Sequence, residues 1–201
     1  MGLFDQLGGG RHQSADRSSR VPPGQAETSK WPVLHYGSVP RVDLTKWRFR
    51  FFGLVEQPLE LTFEQFMALP KQQITCDIHC VTRWSRLDTS FEGVPFREIY
   101  KLVKRRDNAN FAIIHAEHGF TTNLPLEDLL RDDVLLAYRA NGADLTPDHG
   151  WPVRLVVPHL YFWKSTKWVR GVELLAQNRP GFWESNGYHM RGDPWREERH
   201  S

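Results

Sequence analysis

The sequence predicts an α+β protein built of mixed β-sheets with a few short helices. Three observations lead there. Short runs rich in Val, Ile, Phe and Tyr recur along the chain with the two-residue alternation of strands. Helical spacing is confined to three brief segments, each opened by a capping pair or a proline. Turn chemistry, including an Asn141-Gly142 pair, punctuates the runs. With 201 residues, 40% of them hydrophobic, and eight tryptophans, the chain can bury a sizeable core.

The elements follow in order. Residues 1–30, rich in Gly, Ser, Pro and charge, predict a flexible N-terminal tail. Residues 31–201 have no second linker and predict a single domain. "WRFRFFGLVEQPLELT" (47–62) reads as two strands joined by a turn at Glu56-Gln57-Pro58. Thr62 and Gln65 stand in capping-box spacing ahead of a short helix that stops at Pro70. Phe96, Ile99, Tyr100 and Val103 mark a helix behind Pro95, and "LPLEDLL" (124–130) repeats the pattern behind Pro125. Strands are expected at 74–80, 111–116, 134–140, 153–157 and 167–175, with a hairpin turn at 141–142.

Composition excludes several classes. The net charge is +2, so no strong field argues for nucleic acid. The basic cluster at 101–107 falls at an expected helix end, where cations suit the helix dipole. No stretch approaches the length of a membrane span, and no signal peptide is visible. These features predict a cytoplasmic protein with reduced thiols.

The segment "DIHCVTRWS" (77–85) invites chemistry. Ile74, Cys76, Ile78 and Cys80 alternate with more polar neighbours, which puts both cysteines on one strand face. Residues i and i+4 on a strand stand roughly 13 Å apart, whereas a disulfide needs Cα atoms within about 7 Å. A Cys76–Cys80 bridge is therefore disfavoured. Core packing is the plain alternative for both thiols. Zinc lacks a second Cys or Cys/His pair at finger spacing, although His115 and His118 stand three apart. His79 before Cys80 and Arg83 after it favour a thiolate at Cys80 and not at Cys76.

The stretch "DHGWPVRLVVPHLYFWKSTKWVRGVELL" (148–175) resembles the molybdopterin-binding domain of the sulfite oxidase family, in His-Gly-x-Pro-Val-Arg, in Val-Val-Pro and in the later Lys-Trp. "CDIHCVTRWS" resembles that family's segment in which one thiolate ligates molybdenum. "LHYGSVP" (34–40) and "FEGVPFREIYKLV" resemble its early loop and its turn and helix after the metal cysteine. The resemblance runs in order from about 31 to 176. It implies a sulfite-oxidase-type fold, a molybdenum-molybdopterin cofactor with one pterin dithiolene, and a likeness to the bacterial stand-alone branch, which includes methionine-sulfoxide-reducing catalytic subunits.

Carried over by position, the resemblance makes Cys80 the metal ligand and assigns cofactor contacts to His35, Tyr36, His115, His149, Arg154, Ser165, Thr166 and Lys167. Arg83 is expected to orient substrate or tune the thiolate. A soft thiolate suits a metal held by dithiolene sulfurs, and a buried phosphate needs cations and aligned donors. The chain departs from the sulfite-oxidising members after the cysteine, where Val81, Thr82, Arg83 and Trp84 replace an arginine-rich run. That departure weakens sulfite as substrate.

The expected activity is two-electron oxo transfer on a small sulfur-type or related substrate. Without a C-x-x-C-H haem motif, electrons would pass through a separate electron-transfer protein or a soluble carrier. Trp84 and Tyr161 are candidates for pocket lining or core. Trp183, Tyr188 and Trp195 read as packing anchors, and His189 and Arg191 could approach the pocket mouth. The rival readings are a non-catalytic binding module that has lost the metal, and a zinc or dithiol protein using Cys76 and Cys80.

Overall fold

The computed structural model describes residues 17–201. Among the described residues eleven strands make two sheets, with short helices between them. The strands are β1 (Ala26–Glu27), β2 (Arg48–Gly53), β3 (Leu59–Thr62), β4 (Gln72–His79), β5 (Trp84–Pro95), β6 (Phe111–Ala116), β7 (Thr121–Pro125), β8 (Leu135–Ala140), β9 (Ala143–Asp144), β10 (Arg154–Val156) and β11 (Val169–Leu175). The helices are α1 (Phe63–Met67), α2 (Phe96–Tyr100) and α3 (Leu126–Leu129).

One sheet has the order β3-β2-β11-β6-β7. Its β11 runs parallel to β2 and antiparallel to β6. The second sheet is organised around β5, which pairs β4 along most of its length, β1 at its start and β8 at its end; β10 and β9 flank β8. α1 begins at the expected capping box, with Gln65 N–H donating to the Thr62 hydroxyl and Thr62 N–H to the Gln65 side chain. At the expected hairpin, Asn141 and Gly142 both have positive φ, 50° and 79°, as a two-residue turn of the favoured hand requires.

The main core lies between the sheets and includes Trp47, Phe49, Phe51, Phe66, Phe96, Leu136, Leu155 and Val172. Each such side chain contributes about 1.5–3 kcal/mol on burial. A second cluster covers the far face of the β5 sheet. There Leu135, Ala137 and Val156 meet Ile78 and Phe91, with Trp31, Cys76 and Phe162 packed alongside. Successive residues of β8 thus enter opposite clusters, and both faces of this sheet are covered. Arg154, two residues before Val156, shares the face of the second cluster. That places a cation in an otherwise apolar layer.

The structure departs from these expectations at the tail, at two strands and at one helix. Residues 17–30 are not a free tail: β1 pairs with β5 in parallel, Arg20 makes two bonds to the Asp77 carboxylate at 2.9 and 2.6 Å, and Pro22 is buried. Residues 1–16 of that expected tail lie outside the described residues. The longest strand, β5, was not expected, because two of its inward positions are Ser85 and Thr89, both fully buried, and a polar side chain there masks the alternation. β7 escaped for a similar reason, since Thr122 and Asn123, on its opposite faces, are both buried. The helix expected at 124–130 therefore shortens to α3.

Candidate functional site

A cleft of about 390 Å³ opens over the second cluster. Its floor begins where β4 ends. Cys80 is the first residue past the strand, in a tight turn where its N–H donates to Trp84 O at 2.8 Å and its carbonyl accepts from Arg83 N–H at 3.0 Å. The turn closes because Arg83 adopts φ 74°. Cys80 lines the cleft with its neighbours Val81, Thr82 and Trp84. Burial raises its thiol pKa, while the Thr82 hydroxyl, 3.1 Å from Sγ, and the backbone N–H groups of Thr82 and Val81 favour the thiolate. Cys76 is the less exposed to chemistry: it packs in the second cluster, away from the cleft lining, and burial pushes its thiol up to about 12. Both thiols are free.

The cations expected beside Cys80 are not the ones found. His79 is buried, its Nδ1 2.8 Å from the Ser85 hydroxyl, and burial lowers its pKa to about 4, so it is neutral near pH 7. Arg83 is exposed and stands outside the cleft lining, its guanidinium beside Gly24. The cation that does favour the Cys80 thiolate is Arg199, which the sequence reading passed over.

The other end of the cleft is built by β10 and the loop from 157 to 168. Arg154 is 1% exposed and forms no ion pair among the described residues. It donates instead to three carbonyls: His149 at 2.9 Å, Ser165 at 2.7 Å and Leu155 at 3.4 Å. Burial lowers its pKa to about 9. Among the described residues Lys167 likewise donates only to carbonyls, Leu34 at 2.9 Å and Asp148 at 2.6 Å, and burial, then the nearby Arg154, bring its pKa to about 7. Gly150, at φ 111°, permits this crowding, since a Cβ there would lie 3.0 Å from Arg154 Cβ and 3.2 Å from Lys167 Cα. Ser165 and Thr166 are buried between the two cations. The Ser165 hydroxyl accepts from Val157 N–H, and the Thr166 hydroxyl is buried with no hydrogen-bond partner.

His35 and Tyr36 line the rim, with the His35 ring 5.5 Å from Trp168 and the Tyr36 ring 4.7 Å from Phe182. His149 stands just behind the wall. Its ring packs 4.0 Å from that of Trp31, and its carbonyl holds Arg154. His115 is not brought to the site, because its side chain turns to Glu173 at 3.0 Å on the outer face of β6. Glu117, His118 and Gly119, past the strand end, line the cleft instead.

The C-terminal segment forms much of the remaining wall. Trp183 and Tyr188, expected only as anchors, line the cleft with Phe182. They are positioned by a buried ion pair in which Lys164 Nζ lies 2.6 Å from Glu184 and also donates to the Met190 carbonyl. Burial, then the nearby Cys80, raise the pKa of Tyr188, and both side chains line the same cleft. Trp84 lines the cleft, whereas Tyr161 belongs to the interior. His189 and Arg191 turn away, Arg191 to Asp128 and His189 toward Glu198.

These residues fit a molybdopterin. The buried Arg154 and the half-buried Lys167, neither in an ion pair among the described residues, stand next to the buried Thr166 hydroxyl that has no partner there, and together they suit a phosphate that brings the missing charge and acceptors. At the opposite end sits a soft sulfur. Among the described residues no group of three or more His, Cys, Asp and Glu gathers as a metal site. A metal at Cys80 would thus draw its remaining ligands from a cofactor, as soft dithiolene chemistry provides.

The model of the oxidoreductase molybdopterin binding domain matches residues 36–183. The "Uncharacterized oxidoreductase YuiH" of Bacillus subtilis is 52% identical over 191 residues, 94% of this chain and 96% of that protein. A sulfite oxidase of Arabidopsis thaliana is 27% identical over 84% of this chain and 54% of its own length. An NADH nitrate reductase of Volvox carteri is 28% identical, with 73% of this chain matching 21% of the enzyme. Those two relatives are therefore much longer than the part they share. Among solved structures, the sulfane dehydrogenase SoxCD of Paracoccus pantotrophus shares the fold, with a TM-score of 0.66, 24% identity, and coverage of 72% of this chain and 42% of that one. By these matches the chain belongs to the sulfite-oxidase-like family of molybdopterin-binding oxidoreductases, and it is a molybdenum oxidoreductase that uses a molybdenum-molybdopterin cofactor.

Proposed function

We propose that this oxidoreductase carries out two-electron oxo transfer on a small, uncharged sulfur oxide of the sulfoxide type, with Cys80 as the protein ligand of molybdenum. The observation that carries the substrate class is the wall around Cys80. Val81, Thr82, Trp84, Trp163 and Tyr188 line it, and none brings a full positive charge into the cleft. An oxyanion such as sulfite would have to be desolvated there without a paired cation, which is costly. The aromatic faces instead suit a polarisable, weakly polar group.

In this reading Arg154, Lys167 and the Ser165-Thr166 segment hold the cofactor phosphate, and His35 and Tyr36 contact the pterin. His149 orients Arg154 through its carbonyl. When bound, the cofactor supplies the two-electron redox chemistry. The chain contributes the thiolate, excludes water with its aromatic wall, and offers the Tyr188 hydroxyl as proton donor near the reacting sulfur. Electrons come from a separate protein or soluble carrier. Residues 31–201 act as one domain, to which residues 17–30 are strapped.

Turnover of the molybdenum-loaded protein tests the substrate. With a reduced viologen donor, methyl sulfoxides should be consumed. With sulfite and an artificial acceptor, kcat/KM should be at least a hundredfold lower. A faster sulfite reaction would overturn the substrate class and leave the family intact.

A further inference from the structure

Outside the cleft, the two ends of the described chain meet behind the Cys80 turn. Arg199 is 8% exposed. It donates to the Val81 carbonyl at 2.7 Å and to Pro23 O at 3.4 Å, and its guanidinium sits 5.0 Å from the centre of the buried Tyr161 ring. From the N-terminal strap, Gln25 Nε2 donates to the Cys80 carbonyl at 3.0 Å. Neither Arg199 nor Gln25 lines the cleft. The nearest acid to Arg199 among the described residues is Glu197 at 3.6 Å, a side chain 49% exposed whose charge water screens in part, so that it offsets the guanidinium only partly.

We propose that Arg199 is a positioning residue for the metal-binding turn: it fixes the Val81 carbonyl from outside the cleft and holds a positive charge, only partly offset by Glu197, behind the Cys80 turn, which raises the reduction potential of the bound molybdenum. The direction follows from electrostatics. Reduction adds negative charge at the metal, and a fixed cation in a medium of low dielectric favours that state. The same charge favours the thiolate of Cys80. This inference rests on Cys80 as the metal ligand.

The test is the midpoint potential of molybdenum in loaded protein, followed by electron paramagnetic resonance, with metal content measured in parallel. Arg199→Lys should stay near the wild-type potential, and Arg199→Gln, which keeps a donor but no charge, should shift clearly negative. A wild-type potential in Arg199→Gln, or an Arg199→Lys potential no higher than that of Arg199→Gln, would overturn the proposal. If Arg199→Gln does not fold, the exposed Glu197→Gln carries the test: removing the anion should move the potential upward, and no movement would overturn it. An unchanged count of sulfur neighbours at molybdenum in Cys80→Ser would be a failure of the Cys80 assignment, a separate result.

Discussion

The guanidinium of Arg154 lies 4.3 Å from the ring centre of Phe162, over an aromatic face inside the protein, with carbonyls as its only hydrogen-bond partners among the described residues. A cation so placed is costly to desolvate, and an anion in the cleft would offset that cost. Arg154→Met should therefore separate stability from function. In cofactor-free protein, urea denaturation should change by no more than about 2 kcal/mol, because relief of the buried charge offsets the lost hydrogen bonds. Cofactor retention should fall roughly 10- to 100-fold, the worth of a charge-assisted hydrogen bond. Unchanged pterin content in the variant would refute its role at the phosphate.

Lys167 gives a pH signature. Its folded pKa near 7 lies below the ordinary 10.5 of the unfolded chain, so between these values the unfolded state binds more protons. Cofactor-free protein should accordingly gain stability from this group as pH rises from about 7 to 10.5. Cofactor affinity should run the opposite way, weakening above about pH 7 as the ammonium is lost. Lys167→Arg should flatten that fall, read by pterin fluorescence after dilution across pH 6.5–9.

The Lys164–Glu184 pair, both side chains fully buried, pins the C-terminal wall. Glu184→Gln should destabilise the protein by about 3–5 kcal/mol, since it strands a buried charge. The double replacement Lys164→Met with Glu184→Leu should cost less than Glu184→Gln alone. Chemical denaturation of the three proteins checks the order.

Tyr188→Phe keeps the ring and removes only the hydroxyl. If that hydroxyl donates the proton, kcat should fall by about 100-fold or more, with molybdenum content and the substrate KM little changed. A loss confined to KM would assign Tyr188 to binding.

Legibility in the sequence followed the physics of each segment. β2, β3, α1, the Asn141-Gly142 turn and β11 declare themselves through alternation, a capping box and turn chemistry, all local signals. β5 and β7 do not, because Ser85, Thr89, Thr122 and Asn123 occupy buried positions that local patterning assigns to water. The strap at 17–30 is polar in composition and is held by ion pairs to Asp77 and Asp88, distant in sequence. At the site, Cys80, Arg154 and Lys167 were legible as a soft sulfur and two cations within recognisable motifs. His118, Tyr188 and Arg199 were not, because tertiary packing alone brings them to Cys80 or its cleft.

X-ray absorption at the molybdenum edge, counting sulfur neighbours in wild type, Cys76→Ser and Cys80→Ser, tests the central claim most directly. Ligation by Cys80 predicts one fewer sulfur at the metal in Cys80→Ser and an unchanged count in Cys76→Ser. The same sulfur count in wild type and Cys80→Ser would contradict it.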